Sequence, residues 1–351
     1  MMDLALLLLG CLGLAGMTVL FPFLVFLRGA RAGKPGLLGA FPDSLDVLIP
    51  VHNEEATLGA TLASIRRAAT LQGLTRLRLL VGLDTCNDRS AEIALAAGAE
   101  VFRFEFRSKW ATLLALQAHS SAPVVAWVDA GTEWSDSLLK QVSTRWHPDL
   151  LGLAPSYRPR RAGSLHRLLW AFEAWLKTLE NSAGGPVSVH GATVFYDRAA
   201  LQQALARLGA GPWRNDDVLV PYVLRSLFPQ RDLVYVAEIA VDDLGIDRGS
   251  DQTRRLRMAE GNLEALRFAT RSTSPRAALP SLLLGRRACR VFWAWWVLLV
   301  LTALFGVWAP IFVVGTSLLL RNRPLAAAFW ASFLAPILFF FPGIGRRLAW
   351  T

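Results

Sequence analysis

Two uncharged stretches bracket a polar middle. Leu4 to Leu27 carries no charged residue, a length that crosses a bilayer core as a helix, with Pro22 placed to kink its end. Arg28, Arg31 and Lys34 follow at once, which predicts that this flank faces the cytoplasm. The start, Met-Met-Asp, lacks the basic region of a cleaved signal peptide, so the pattern favours an anchor. A second apolar block runs from Val291 to Leu320, breaks at Arg321-Asn322-Arg323-Pro324 and resumes from Leu325 to Phe341. Its first part would be about 45 Å long as a helix, against about 30 Å of hydrocarbon. Gly306 and Pro310 therefore predict a kink or a hairpin.

Between these blocks the period changes. Leu45–Val51, Leu77–Leu83, Val101–Phe106 and Val124–Val128 read as short strands. Glu54–Leu71, Ala91–Ala97 and Lys109–His119 have helical spacing, the second closed by Gly98. Strand–helix alternation with short links predicts a doubly wound parallel sheet, which binds ligands beyond the carboxyl ends of its strands. The chain divides accordingly: an N-terminal transmembrane helix over 1–28, a linker over 29–43, an α/β domain over 44–250, an interfacial amphipathic helix region over 251–290, C-terminal transmembrane helices over 291–342 and a tail over 343–351.

Composition adds a sign. The net charge is +10, and only four of 37 basic residues are lysines (Lys34, Lys109, Lys140, Lys177), the rest being arginines. That surface suits lipid headgroups and diphosphates. No zinc-ligand spacing, aromatic ribonucleoprotein run or basic heptad region is present, so nucleic acid is not the expected partner. Cys11, Cys86 and Cys289 are scattered and make neither a disulfide framework nor a zinc site.

Polar residues gather where the strands end: Pro50-Val51-His52-Asn53-Glu54-Glu55, Asp84-Thr85-Cys86-Asn87-Asp88 and Asp129-Ala130-Gly131. Each alone could be a helix cap or a turn. Three on one sheet edge suggest a site. Ile-Pro-Val-His-Asn-Glu-Glu, Leu-Asp-Thr-Cys-Asn-Asp-Arg-Ser-Ala-Glu-Ile-Ala and Val-Asp-Ala-Gly together resemble the nucleotide-binding half of family 2 glycosyltransferases. With apolar segments on both sides, the chain resembles the membrane-bound branch, which includes cellulose, chitin and hyaluronan synthases and ceramide glucosyltransferase. The resemblance covers roughly 44–262. It implies an α/β, GT-A-like doubly wound mixed sheet flanked by transmembrane helices, and an inverting hexosyltransferase in an integral membrane setting, catalytic domain cytoplasmic.

The resemblance also implies roles. Pro50, Val51, His52, Asn53 and Glu54 would hold the nucleotide, and Asp84 would read its base, typically uracil. Lys109 would reach the diphosphate from a helix start. Asp129 stands at the first acid of the family's Asp-X-Asp motif, with Gly131 in place of the second. Mg2+ or Mn2+ held by Asp129 and phosphate oxygens would be the cofactor, with His190 a further ligand or a structural residue. Asn215-Asp216-Asp217 matches the Thr-Glu-Asp motif, making Asp217 the general base and Asp216 the fallback; a plain helix cap is the competing reading. Gln252 and Arg255 match Gln-X-X-Arg-Trp on the diphosphate and acceptor side, with Leu256 replacing the Trp. The expected partners are a nucleotide-sugar donor, the membrane, and a membrane lipid or polyprenyl-linked acceptor. The departures at Gly131 and Leu256 leave a second reading, a degenerate membrane scaffold or sugar-nucleotide sensor.

Overall fold

The computed structural model describes residues 4–16, 20, 41–159, 164–181, 185–186, 188–211, 213–243, 251–271, 285, 289–319 and 324–334. Its centre is an eight-stranded mixed sheet. The strands are β1 (Ser44–Val51), β2 (Arg76–Asp84), β3 (Glu100–Phe104), β4 (Val124–Val128), β5 (Thr132–Glu133), β6 (Leu150–Pro159), β7 (Thr193–Asp197) and β8 (Asp232–Asp243). They lie in the order β3-β2-β1-β4-β7-β6-β8-β5.

The first half of the sheet is parallel, as the alternation predicts: β1 runs alongside β2 and β4, and β2 alongside β3. Helices α2 (Leu58–Gln72), α3 (Ser90–Ala96) and α4 (Lys109–Ala118) make its crossovers. The second half turns: β7 is antiparallel to both β4 and β6. The strand β7 starts only at Thr193, because the backbone before it bonds elsewhere: the Val189 N–H donates to the Asp217 carbonyl. The antiparallel turn matters for function. Thr193 pairs with Val128, so residues entering β7 arrive at the same edge where β4 delivers Asp129.

Both faces are covered, which is why β1 is apolar from Val47 to Val51. On one face Val47, Ile49 and Val51 pack with Leu58, Leu62 and Ile65 of α2 and Leu138 of α5 (Leu138–Ser143). On the other, Leu48 joins Trp110 and Leu113 of α4, Leu201 and Leu205 of α7 (Arg198–Leu208), and Val218 and Leu219 of α8 (Asp216–Leu227). Between β6 and β7 runs α6 (Ser164–Asn181). Each fully buried aliphatic side chain contributes about 1.5–3 kcal/mol, so these two cores fix the loops at the strand ends. Within β1 the buried Asp46 accepts from the backbone of Ser121 and Ala122 and from Arg78.

The helix α9 (Asp251–Arg271) buries Ala259, Gly261, Leu263, Ala265 and Ala269. It is thus packed on the protein over this length. Four short apolar helices complete the described chain: α1 (Leu4–Ala15), α10 (Trp293–Phe305), α11 (Trp308–Leu319) and α12 (Pro324–Phe333). Gly306, at φ 74°, ends α10, so the long apolar run is a broken pair. Gly10 and Gly13 of α1 face Val300 and Trp296 of α10 so closely that a β-carbon on Gly13 would lie 2.2 Å from the Trp296 ring. No helix among the described residues is long and apolar enough to cross a membrane; α10, with 13 residues, rises only about 20 Å. The rest of the Leu4–Leu27 and Leu325–Phe341 expectations lies largely outside the described residues.

Candidate active site

Three strand-end loops interlock at one edge of the sheet. After β1, the His52 ring bonds through Nδ1 to the Asp84 carbonyl at 2.7 Å. Asn53 Oδ1 accepts from the Asn87 N–H, the Glu55 N–H donates to Asp88, and the Arg89 N–H donates back to Glu55. Asn53, Thr85 and Arg107 all have positive φ, at 55°, 56° and 51°. For non-glycine residues this costs on the order of 1–3 kcal/mol each, and such strain clusters at ligand sites.

Pro50 and Val51 are buried inside β1, so of the five residues expected to hold the nucleotide His52, Asn53 and Glu54 reach the edge. Asp84 also differs from its sequence expectation. It is fully buried and its carboxylate accepts four bonds: from Thr85 Oγ1, the Arg107 and Ser108 N–H groups, and Thr112 Oγ1. Two oxygens with about four lone-pair sites are then saturated. In this geometry the carboxylate has nothing left for a base. It instead fixes the start of α4, where Ser108 caps the helix by accepting from Ala111 N–H.

That start presents Lys109. Its Nζ lies 2.7 Å from Asp129 Oδ1 and 3.3 Å from Asp216 Oδ1. One ammonium therefore joins the end of β4 to the first turn of α8. Burial pulls the Lys109 pKa down, but the charges of Asp129 and Asp216 outweigh it, and the pKa ends above the usual lysine value. Asp216 is pushed up to about 6, first by burial and then by the charges of Asp217 and Asp129, against the opposing pull of Lys109. Among the described residues nothing hydrogen-bonds or ion-pairs with the Asp217 side chain; its backbone carbonyl receives the Val189 N–H at 2.9 Å. A β-carbon on Gly191 would sit 3.5 Å from that of Asp217 and 3.9 Å from Lys109 Nζ, so Lys109, Asp129, Asp216 and Asp217 form one cluster.

Asn215 takes the N-cap position of α8 with Asp216 and Asp217 in the first turn, but its side chain makes no cap hydrogen bond. It donates instead to the Met258 carbonyl and to Asn262 of α9. Gly261 makes this approach possible: a β-carbon there would lie 2.4 Å from the Asn215 amide. Arg214 adds two ion pairs, to Glu260 and Glu264. Sequence reasoning missed this clasp between α9 and the acid loop. The Glu260/Glu264 spacing on one helix face was the available signal, but nothing local ties it to Arg214. The side chains of Gln252 and Arg255, on the same helix, lie outside the described residues.

The donor set does not fit a divalent cation at Asp129. Gly131 offers no carboxylate, and its N–H is bound to Thr61 Oγ1. Among the described residues no group of three His, Cys, Asp or Glu side chains could hold a metal. His190 is buried, 3.3 Å from the Tyr235 hydroxyl and edge-on to Trp170. It is packed as a structural residue.

The comparisons with known proteins bear on this fold. A mannosyltransferase from Pyrobaculum calidifontis, solved with GDP-Man and Mn2+, matches with TM-score 0.71 at 18% identity, over 96% of this chain and 99% of that one. Glucosyl-3-phosphoglycerate synthase from Mycobacterium tuberculosis, solved with Mn2+, UDP and glucosyl-3-phosphoglycerate, matches with TM-score 0.45 at 19% identity, over 65% and 80%. No curated protein matches the chain. The sheet is thus of the mixed GT-A-like kind, and residues 46–167, which carry the interlocked loops, Lys109 and Asp129, match the model of glycosyl transferase family 2.

Proposed function

We propose that this chain is an inverting glycosyltransferase that passes a hexose from a nucleoside diphosphate sugar to an acceptor held at a membrane surface. The observation that carries the reading is the cluster of Lys109, Asp129, Asp216 and Asp217 at the carboxyl edge of a GT-A-like sheet. The donor would lie over His52, Asn53 and Glu54, with its diphosphate toward Lys109. Its nucleotide is expected to be UDP; GDP, carried by the GDP-Man bound to the Pyrobaculum calidifontis mannosyltransferase, belongs in the same trial.

Asp217 is assigned as the base because its carboxylate has no bonding partner among the described residues, whereas Asp216 is held by Lys109. In the transfer, an acceptor hydroxyl oxygen bonds to the anomeric carbon as its proton passes to Asp217. The bond from that carbon to the phosphate oxygen breaks, and its electron pair leaves with the nucleoside diphosphate. Lys109 stabilises the charge that develops there. Arg255, one helical segment away on α9, is proposed to share that work.

The membrane side of the reading rests on exposed apolar residues. Trp308, Phe312 and Leu319 of α11 are 75%, 71% and 86% exposed, alongside Leu8, Leu9 and Leu12 of α1. Helices this short and this apolar suit shallow insertion into lipid. Because α9 packs on α12 and also clasps the acid loop, inserted helices would bring Asp217 near a lipid-linked or polyprenyl-linked hydroxyl. The test is release of nucleoside diphosphate from a panel of UDP- and GDP-sugars by the purified full chain in lipid vesicles. Turnover with one donor supports the reading; binding without turnover supports the sensor alternative.

A further inference from the structure

We infer that Lys109 takes the place of a divalent cation in the donor site, so that the diphosphate binds without metal. The inference rests on the glycosyltransferase reading above and concerns how that site is charged.

Three observations on the Asp129 loop point the same way. First, the position two residues after Asp129 is Gly131, with φ at 92°, a backbone conformation that residues with a β-carbon rarely adopt. A second carboxylate is absent there, and the backbone disfavours one. Second, the Gly131 N–H is turned inward to buried Thr61 Oγ1 at 3.0 Å. The loop is anchored to α2 in that form. Third, the remaining acid is already occupied, with the Lys109 ammonium 2.7 Å from Asp129 Oδ1. A dication on the same carboxylate would bind about 2.1 Å from its oxygen, bringing two positive centres into close repulsion.

The lysine is equipped for the substitute task. An ammonium has three N–H donors and no acceptor. Asp129 and Asp216 take two, leaving one for a phosphate oxygen. The side chain is about a quarter exposed, so an anion can reach it. The two carboxylates also hold it in one place, which reduces the rotamer entropy a free lysine would lose on binding. Lys109 is the first residue of α4, so the helix N-terminus adds its own attraction for a phosphate.

The test uses the purified full chain and four probes, UDP, GDP, UMP and GMP, with affinities measured by calorimetry in excess EDTA and in saturating MnCl2. For whichever diphosphate binds, the two affinities should agree within about twofold, less than 0.5 kcal/mol. The electron paramagnetic resonance signal of free Mn2+ should fall no further with protein and nucleotide than with nucleotide alone. Lys109→Met should weaken the diphosphate about tenfold or more while leaving the matching monophosphate unchanged. Lys109→Arg keeps the charge and should retain most of the affinity, which covers the case where the Met variant fails to fold. Tenfold tighter binding with Mn2+, or one Mn2+ taken up per complex, would overturn the inference and leave the transferase reading standing. Equal weakening of mono- and diphosphate by Lys109→Met would also overturn it. No binding of either diphosphate in either condition would overturn both.

Discussion

Lys109 and Asp129 are held 2.7 Å apart, although one opens a helix and the other closes a strand 20 residues later. The pair exists because β4 lies beside β1, so α4 crosses back over the sheet and delivers its first residue to the edge where β4 ends. A third group, Asp216, completes the arrangement from α8. The chemistry proposed above depends on that three-way junction.

Asp216 sets an acid limb. Its folded pKa, about 6, lies above the ordinary carboxylate value near 3.9, so the folded protein keeps this proton when the unfolded chain has lost it. Stability from this group is therefore highest below the unfolded pKa and declines as pH rises toward 6. Ion pairing with Lys109 runs the opposite way, since it needs the carboxylate charged. We expect kcat/KM for the donor to rise through about pH 6 and then level off. Asp216→Asn should abolish that limb; a limb unchanged in the variant assigns it to another group.

The clasp from α9 should matter without touching substrate. Gly261→Ala places a β-carbon 2.4 Å from the Asn215 amide and should push the acid loop away. Glu264→Gln removes the charge facing Arg214 and should cost about 1–3 kcal/mol. Thermal denaturation measures the second effect. For Gly261→Ala, kcat should fall more than tenfold with donor affinity kept, because the clasp positions Asp217 and not the nucleotide.

Asp84→Ala should destabilise the fold and leave base preference alone. Four hydrogen bonds end on this buried carboxylate, and their loss is expected to cost about 3–5 kcal/mol. The ratio of UDP to GDP affinity should not change. A variant that folds normally but loses that discrimination would restore Asp84 to the base-reading role implied by its motif.

This residue also shows where sequence reading stopped. The parallel half of the sheet was legible because each strand is a short apolar or alternating run and each crossover has helical spacing. The mixed half was not, since β6 pairs in parallel with β8 from Leu150 to Asp232, 82 residues on, and no local pattern announces that partner. Likewise, motif position placed Asp84, Lys109, Asp129, Asp216 and Asp217 on one edge. It could not say which carboxylates were already committed: among the described residues Asp84 is bonded to the backbone leading into α4, Asp216 to Lys109, and Asp217 to neither. Commitment is a tertiary property. The Gly131 substitution was visible in the sequence, while the lysine standing against Asp129 became visible only with the sheet assembled.

The apolar helices make a separate prediction. Trp308→Asp with Phe312→Asp changes two exposed positions and should leave thermal stability nearly unchanged. Vesicle co-sedimentation should fall several-fold, given about 0.8 kcal/mol for each buried methylene lost from lipid. Equal binding by parent and variant would remove α11 from the membrane face.

The central claim is sugar transfer with Asp217 as base. The most direct measurement is nucleoside diphosphate release across the UDP- and GDP-sugar panel, comparing the parent chain with Asp217→Asn in the same vesicles. We predict turnover with at least one donor and a fall of about 100-fold or more in kcat for the variant, with donor affinity preserved. No turnover with any donor, or an Asp217→Asn variant as fast as the parent, would contradict the account.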